Sequence, residues 1–367
     1  MFSVNNFYDF VYSNYGPDRT NNFILAFHPH GSKDLHNLET LVDNPNNRPN
    51  FNTRISASSR IVMHDQEPLF LDYLNTYRFM LQHRKNLLYS SNQIQLERIE
   101  QLSKYSKDLS NIDFFKRAIS GNNSPIICHS ELNSEDIAIL EENNFITCYY
   151  WWHGMIARDW FRHWQHYDIL MPTNKAANAE RFLLYSRAFD GTRVYRQDLV
   201  EHCKKFETQI KYNWNGVQVD STFSAKIDIN DSGPPIHIVA ETLFDTNKIY
   251  LTEKVFKPMV MSQAFILFAP PGSLQYLRDY GFKTFDCCWD ESYDLEPDST
   301  VRMSKLLQLI SNLATMSQEL FEDLYQRALP VIRHNRQRFF DMAFQDDLIS
   351  EMRTNMNTAL LKQNQRH

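Results

Sequence analysis

Short apolar runs rich in β-branched and aromatic residues recur along the chain and predict β-strands. Several are continuously apolar rather than alternating, which is typical of parallel strands that are covered on both faces. The runs lie at residues 23–27, 60–64, 86–89, 125–128, 145–150, 167–171, 181–185, 236–240 and 264–268. We therefore expect parallel sheets in both halves of the chain.

Stretches with the apolar spacing of helices fall between these runs. They cover residues 153–164, 193–203, 253–261, 274–280 and 301–313, and a helical segment with a break at Pro330 covers 317–361. This alternation predicts an α/β fold with two Rossmann-like domains. A polar stretch at 168–178 marks the boundary, so we predict domains at 1–170 and 171–345 and a helical tail at 346–367 that crosses back.

Composition excludes some classes of protein. The formal net charge is -6, which argues against a protein that coats nucleic acid. The five cysteines have neither disulfide-rich nor zinc-finger spacing, which indicates a reducing compartment. The chain has no signal-peptide pattern and no apolar run near the ~20 residues of a membrane span. We expect a cytoplasmic protein without a membrane span, in the host cytoplasm if the protein is viral.

The most informative stretch follows the strand predicted at 236–240. A loop ends at Thr252, which can cap a helix that begins at Glu253 and Lys254. The N-terminus of a helix offers free N–H groups and a partial positive charge, which suit a diphosphate. Lys254 adds a cation, and Glu253 can accept hydrogen bonds from ribose hydroxyls. An alternative interpretation is a capped amphipathic helix with solvated charges.

The segment Tyr250-Leu251-Thr252-Glu253-Lys254 resembles the tyrosine-x-threonine-glutamate-lysine motif of the α1,3-fucosyltransferase family. The resemblance implies a GT-B fold, in which two Rossmann-like domains face a cleft, and an inverting transfer from GDP-fucose. It implies that Tyr250, Glu253 and Lys254, next to the capping Thr252, bind the GDP part of the donor. The family's phosphate-binding arginine, which opens a helix, matches Arg193 best and Arg187 second.

The same resemblance implies an acceptor site in the first half of the chain. The family carries a glutamate in a short turn after a strand, and Glu67 before Pro68 is the nearest match, with Asp65 close behind. Either carboxylate is our candidate for the catalytic base, and a turn with solvated carboxylates is the alternative. Trp152, His153 and Arg158 belong to an aromatic stretch that either binds the acceptor or packs in the core.

The chain is also similar to a group of uncharacterised phage and virus proteins. The shared stretches are residues 63–68, 150–154 and 289–294, and the similarity extends over most of the chain. It brings no settled activity. It nevertheless raises the hypothesis of a viral enzyme that modifies sugars or DNA.

Cofactor motifs are missing from the sequence. Neither a Gly-x-Gly-x-x-Gly nor a Walker A sequence occurs, and the histidine spacings lack the further ligands of a metal site. No Asp-x-Asp occurs either. We therefore predict an inverting transferase that uses neither metal nor cofactor and moves a sugar, possibly fucose, from a nucleotide donor, with a GDP-sugar favoured, to a hydroxyl acceptor.

Two alternatives remain open. The first is a phage glycosyltransferase that acts on hydroxylated DNA bases. Its basic rim would consist of Arg54, Arg60, Arg78, Arg84 and Lys85. The second is a catalytically inactive glycan-binding module with the same fold. The identity of the acceptor, a glycan or modified DNA, and the oligomeric state do not follow from the sequence.

Overall fold

A computed structural model describes residues 23–28, 60–65, 68–69, 126–142, 145–166, 180–186, 189, 191–212 and 233–365. The chain groups into two compact units. Unit 1 contains His153–Asp347, and unit 2 contains Phe2–Trp152 together with Leu348–His367. The predicted strands at 86–89 and 167–171 lie outside the described residues. Each unit has its own sheet.

The sheet of unit 2 has four parallel strands in the order β1-β2-β3-β4. The strands are β1 (Phe23–His28), β2 (Arg60–Asp65), β3 (Ile126–His129) and β4 (Ile146–Tyr149). All four were predicted within one or two residues of their bounds. Between β3 and β4 lies helix α1 (Glu135–Glu142), which the apolar pattern did not predict, because Leu140 is its one buried residue.

The sheet of unit 1 also has four parallel strands, in the order β6-β5-β7-β8. The strands are β5 (Phe182–Leu184), β6 (Ile210–Tyr212), β7 (Ile236–Ala240) and β8 (Ala264–Phe268). Every residue of β7 and β8 is buried, which explains why both strands are apolar apart from His237 in β7. The short strand β6 was not predicted. The described residues therefore form an α/β fold with two parallel sheets.

Seven further α-helices complete the described part of the chain. They are α2 (Trp152–Trp160), α3 (Tyr195–Cys203), α4 (Phe256–Val260), α5 (Ser273–Asp279), α6 (Ser299–Thr315), α7 (Gln318–Phe340) and α8 (Met342–Gln365). From Leu348 onward α8 groups with unit 2. There Asn355 donates a hydrogen bond of 2.8 Å to the carbonyl oxygen of Tyr149, which fixes the helix at the end of β4.

The predicted helix break at Pro330 is wrong. Helix α7 continues through Pro330, and the chain leaves helical geometry only at Asp341, which has extended backbone angles. Proline removes the N–H group that would bond the carbonyl oxygen of Gln326. Both residues are exposed, so water can bond that carbonyl oxygen. The apolar residues on the buried face of α7 pack without interruption and keep the helix intact.

Arg181, which precedes β5, completes the C-terminal end of α6. Its guanidinium donates hydrogen bonds to the carbonyl oxygens of Leu313 at 2.6 Å, Ala314 at 3.3 Å and Met316 at 2.8 Å. These carbonyls have no partner within the helix because they belong to its last turn. The same guanidinium lies 4.4 Å from the ring centroid of Phe321 in α7. One side chain thus joins the sheet of unit 1 to two helices.

Among the described residues, no helix is both long enough and apolar enough to span a membrane.

Candidate functional site

The strand order of unit 1 reverses at β5, between β6 and β7. From β5 the chain passes to β6 on one side, and β7 lies on the other side of β5. In open α/β sheets, ligands bind outside the carboxyl ends of the strands at such a reversal of strand order. Tyr185 and Ser186 follow β5, and Glu241 follows β7. These residues mark the position where a ligand is expected.

Glu241 fixes the loop that the sequence singled out. Its carboxylate is fully buried and accepts hydrogen bonds from the Thr252 N–H at 3.1 Å, the Thr252 hydroxyl at 2.6 Å and the Thr242 N–H at 3.3 Å. The end of β7 and Thr252 are therefore joined by one side chain. Sequence analysis missed Glu241, although a carboxylate directly after a buried, mostly apolar strand is a recognisable pattern.

Thr252 is an N-cap, as predicted. Its backbone is extended, and its Oγ1 accepts a hydrogen bond of 3.4 Å from the Lys254 N–H. The element that follows differs from the predicted helix at 253–261. A 3-10 turn (Glu253–Val255) leads into α4 (Phe256–Val260). Pro258 explains the difference, because it has no N–H to bond the carbonyl oxygen of Lys254.

A histidine from α2 lies against the predicted donor residues. The Nε2 atom of His153 is 2.6 Å from the Tyr250 hydroxyl, and its Nδ1 atom is 3.5 Å from a carboxylate oxygen of Glu253. All three side chains are buried. The structure groups His153 with Tyr250 and Glu253, which the resemblance assigns to the donor. The acceptor role of His153 stays a prediction.

Two lysines follow Thr252 and differ in their surroundings. The ammonium of Lys254 donates a hydrogen bond of 2.9 Å to Thr252 Oγ1 and lies 3.4 Å from Glu253 Oε1, while 36% of the side chain is exposed. Lys257 is buried, and its ammonium lies 4.2 Å from the ring centroid of Tyr185. Burial lowers the pKa of Lys257 to about 8, although the Glu253 carboxylate opposes this shift.

Lys257 adds a positive charge that sequence analysis did not include in the site. Its ammonium lies over the ring of Tyr185, the residue that directly follows β5, so the charge is near the carboxyl end of that strand. The nearby imidazole of His237 stays neutral, because burial and the charge of Lys257 lower its pKa to about 3. Lys257 therefore carries its charge without a second buried cation beside it.

Arg193 lies at the end of a 3-10 turn (Gly191–Arg193) that leads into α3. The start of α3 is bound to the end of β7. The Tyr195 hydroxyl donates a hydrogen bond of 2.6 Å to the carbonyl oxygen of Glu241, and the Arg196 guanidinium donates one of 2.8 Å to the same oxygen. Arg193 is half-buried.

Two of the predicted acceptor residues have packing contacts. The side chain of Trp152 is buried in unit 2, and the backbone N–H of the same residue donates a hydrogen bond of 3.0 Å to Ser130 Oγ. Arg158 is buried in unit 1, and its guanidinium donates to the carbonyl oxygen of Phe339 and lies 5.8 Å from that ring's centroid. Burial lowers the pKa of Arg158 to about 10. Both side chains are thus buried within their units.

Of the two candidate bases, one lies within the described residues. Asp65 is the last residue of β2, whereas Glu67 and the alternative donor residue Arg187 lie outside the described residues. The described residues contain no group of three or more His, Cys, Asp or Glu side chains that could hold a metal ion. The catalytic roles and the absence of a metal requirement stay predictions.

Comparisons with other proteins add no assignment. No protein-family model matches the chain, and neither a curated protein nor a solved structure is significantly similar to it.

Proposed function

We propose that the chain is an inverting, metal-independent glycosyltransferase of GT-B architecture that uses a nucleotide-sugar donor, with a GDP-sugar favoured. One observation carries the proposal. The segment from Tyr250 to Lys254, which resembles the donor motif of the fucosyltransferases, is held by Glu241 at the carboxyl end of β7. This end of the sheet is where α/β folds bind nucleotides.

The charges around Thr252 suit a diphosphate. Lys254 is partly exposed and has a flexible side chain, so its ammonium can turn from Thr252 to a phosphate oxygen. Lys257 contributes a buried positive charge beside Tyr185, and Arg193 can add a bidentate guanidinium contact. Glu253 accepts hydrogen bonds from ribose hydroxyls. These groups stabilise the negative charge that the diphosphate gains as it leaves.

The proposed reaction is a single in-line displacement. The oxygen of an acceptor hydroxyl attacks the anomeric carbon, and the bond from that carbon to the diphosphate oxygen breaks. The diphosphate leaves with the electron pair, and the hydroxyl proton passes to Glu67 or Asp65. Attack from the face opposite the leaving group inverts the configuration of the sugar.

A thermal-shift panel of GDP-, UDP- and CMP-sugars tests the donor site. A saturating ligand at one hundred times its Kd stabilises the folded state by about 2.7 kcal/mol, so one nucleotide class should raise the Tm by several degrees. Lys254→Ala should abolish this shift. Lys283→Ala, which changes an exposed lysine outside the site, should retain it.

Failure of all three nucleotide classes to stabilise the wild-type chain would overturn the proposal. Equal shifts in Lys254→Ala and Lys283→Ala would remove Lys254 from the site. Incubation of the stabilising donor with glycan acceptors and with hydroxymethylated DNA then identifies the acceptor class by mass spectrometry of the product.

A further inference from the structure

Unit 2 contains a cavity of about 650 Å³ that the proposed reaction does not use. His129 and Tyr149 line it from the carboxyl ends of β3 and β4, α1 contributes Glu141, and α8 contributes Asn355 and Lys362. The volume lies within the range of small-molecule sites. Its place at the carboxyl end of parallel strands is the usual ligand position of an α/β sheet.

The polar groups on the inner wall of the cavity are fixed before any ligand binds. Glu131 is buried, and its carboxylate accepts a hydrogen bond of 2.6 Å from Ser134 Oγ and another from the Leu69 N–H. The Nδ1 atom of His129 accepts a hydrogen bond of 3.3 Å from the Glu131 N–H. In the neutral imidazole this bond leaves the proton on Nε2, so Nε2 is a donor.

The charge of the cavity argues against an anionic ligand. Its lining contains the carboxylates of Glu131, Glu135 and Glu141 and the single ammonium of Lys362. A phosphate or a nucleic-acid backbone would be repelled by this excess of negative charge. The cavity therefore differs in kind from the cationic surroundings of Thr252 in unit 1.

The carboxylates of the cavity already accept hydrogen bonds from uncharged groups. Glu131 already accepts from an N–H group and from the hydroxyl of Ser134, and Glu141 accepts a hydrogen bond of 2.5 Å from the Thr147 hydroxyl. Two of the carboxylates thus bind neutral donors. Hydroxyl groups of a ligand can extend this arrangement, because each carboxylate oxygen accepts more than one hydrogen bond.

We propose that this cavity binds a neutral, hydroxyl-rich ligand, of the kind a sugar residue of a glycan provides. The rings of Tyr149 and His129, which meet edge to face with centroids 5.7 Å apart, offer an apolar surface for the C–H groups of a pyranose. The carboxylates accept hydrogen bonds from the hydroxyls of the ligand. The proposal holds whether or not unit 1 binds a nucleotide sugar.

Isothermal titration of the full chain with a panel of neutral oligosaccharides, in the absence of any nucleotide, tests the proposal. At least one should bind, and Tyr149→Ala should weaken it tenfold or more. Glu141→Gln should weaken binding several-fold, because the amide donates where the carboxylate accepts. Glu142→Gln changes the adjacent exposed glutamate, which does not line the cavity, and should bind as the wild type does.

A wild-type chain that binds none of the neutral saccharides would overturn the proposal, as would tight binding of a polyamine in their place. Equal affinities for Glu141→Gln and Glu142→Gln would place a bound saccharide elsewhere. Glu141 is exposed, so this pair of variants stays informative if Tyr149→Ala does not fold. Because no nucleotide is present, failure here leaves the result of the nucleotide panel unaffected.

Discussion

The Nε2 atom of His153 lies 2.6 Å from the hydroxyl oxygen of Tyr250, although 97 positions separate the two residues in the sequence. Their rings meet edge to face, at an angle of 82°. The second ring nitrogen of His153 lies near Glu253. One imidazole therefore spans the segment from Tyr250 to Glu253 and limits how far that segment can move.

Tyr250→Phe should lower the free energy of unfolding by about 1–3 kcal/mol, because it leaves a buried imidazole nitrogen without the phenol oxygen. Urea unfolding measures this change. Tyr325→Phe is the matched control, since the buried Tyr325 hydroxyl has no hydrogen-bond partner among the described residues. The control should be neutral or stabilising, and equal losses in both variants would contradict a bond between His153 and Tyr250.

Glu241→Gln should lower the free energy of unfolding by about 2–4 kcal/mol, although the two side chains have nearly the same shape. The carboxylate accepts from two N–H groups and one hydroxyl, and an amide would turn an NH₂ donor toward some of them. Hydrogen exchange at the Thr252 amide should also become faster. Glu207→Gln, at an exposed position, should change neither quantity. Unchanged protection of Thr252 would argue against the role of Glu241.

Lys257→Met should stabilise the protein at pH 7, by up to about 3 kcal/mol. The pKa of Lys257 falls from 10.5 to about 8 on folding, so the unfolded chain binds more protons between pH 8 and 10.5. The contribution of Lys257 to stability is therefore unfavourable below pH 8 and rises with pH across this window.

Urea unfolding of the wild type and Lys257→Met at pH 7, 8, 9 and 10 checks this expectation. The difference in stability between the two proteins should shrink as the pH rises, and a constant difference would contradict it. On the proposed function the same variant should bind the donor nucleotide more weakly. A gain in stability would then accompany a loss of affinity, as is common at functional sites.

Arg193→Ala should leave the free energy of unfolding within about 0.5 kcal/mol of the wild type. Sugar transfer should slow by about a hundredfold if the guanidinium stabilises the leaving diphosphate. Arg333→Ala, at an exposed position on α7, is the control and should retain full activity. Activity of Arg193→Ala equal to that of the control would exclude Arg193 from this role and leave Arg187 as the candidate.

Features that depend on residues close together in the sequence were predictable. Strands β7 and β8 were predicted with the bounds that the structure has, because strands buried on both faces of a sheet are mostly apolar, as both are apart from His237 in β7. The Thr252 cap was predictable for a similar reason, since a capping side chain bonds its own next turn.

Contacts between distant segments were not predictable. In the sequence, Lys257 looks like an ordinary lysine of a short helix. Only the folded structure shows that its ammonium is buried beside Tyr185. Glu241 likewise owes its importance to Thr252. At Pro330 the sequence predicted a break that the structure does not have. The local preference of proline is outweighed there by the packing of α7, and that packing cannot be read from a single sequence.

The hydrogen bonds of Arg181 have a consequence for the order of folding. The carbonyl oxygens that its guanidinium binds at the end of α6 lie 132 to 135 positions later in the chain. During synthesis the arginine leaves the ribosome well before its acceptors exist. The last turn of α6 thus gains these bonds only when the segment before β5 packs against it, and an excised peptide of α6 and α7, which lacks Arg181, should fray at their junction.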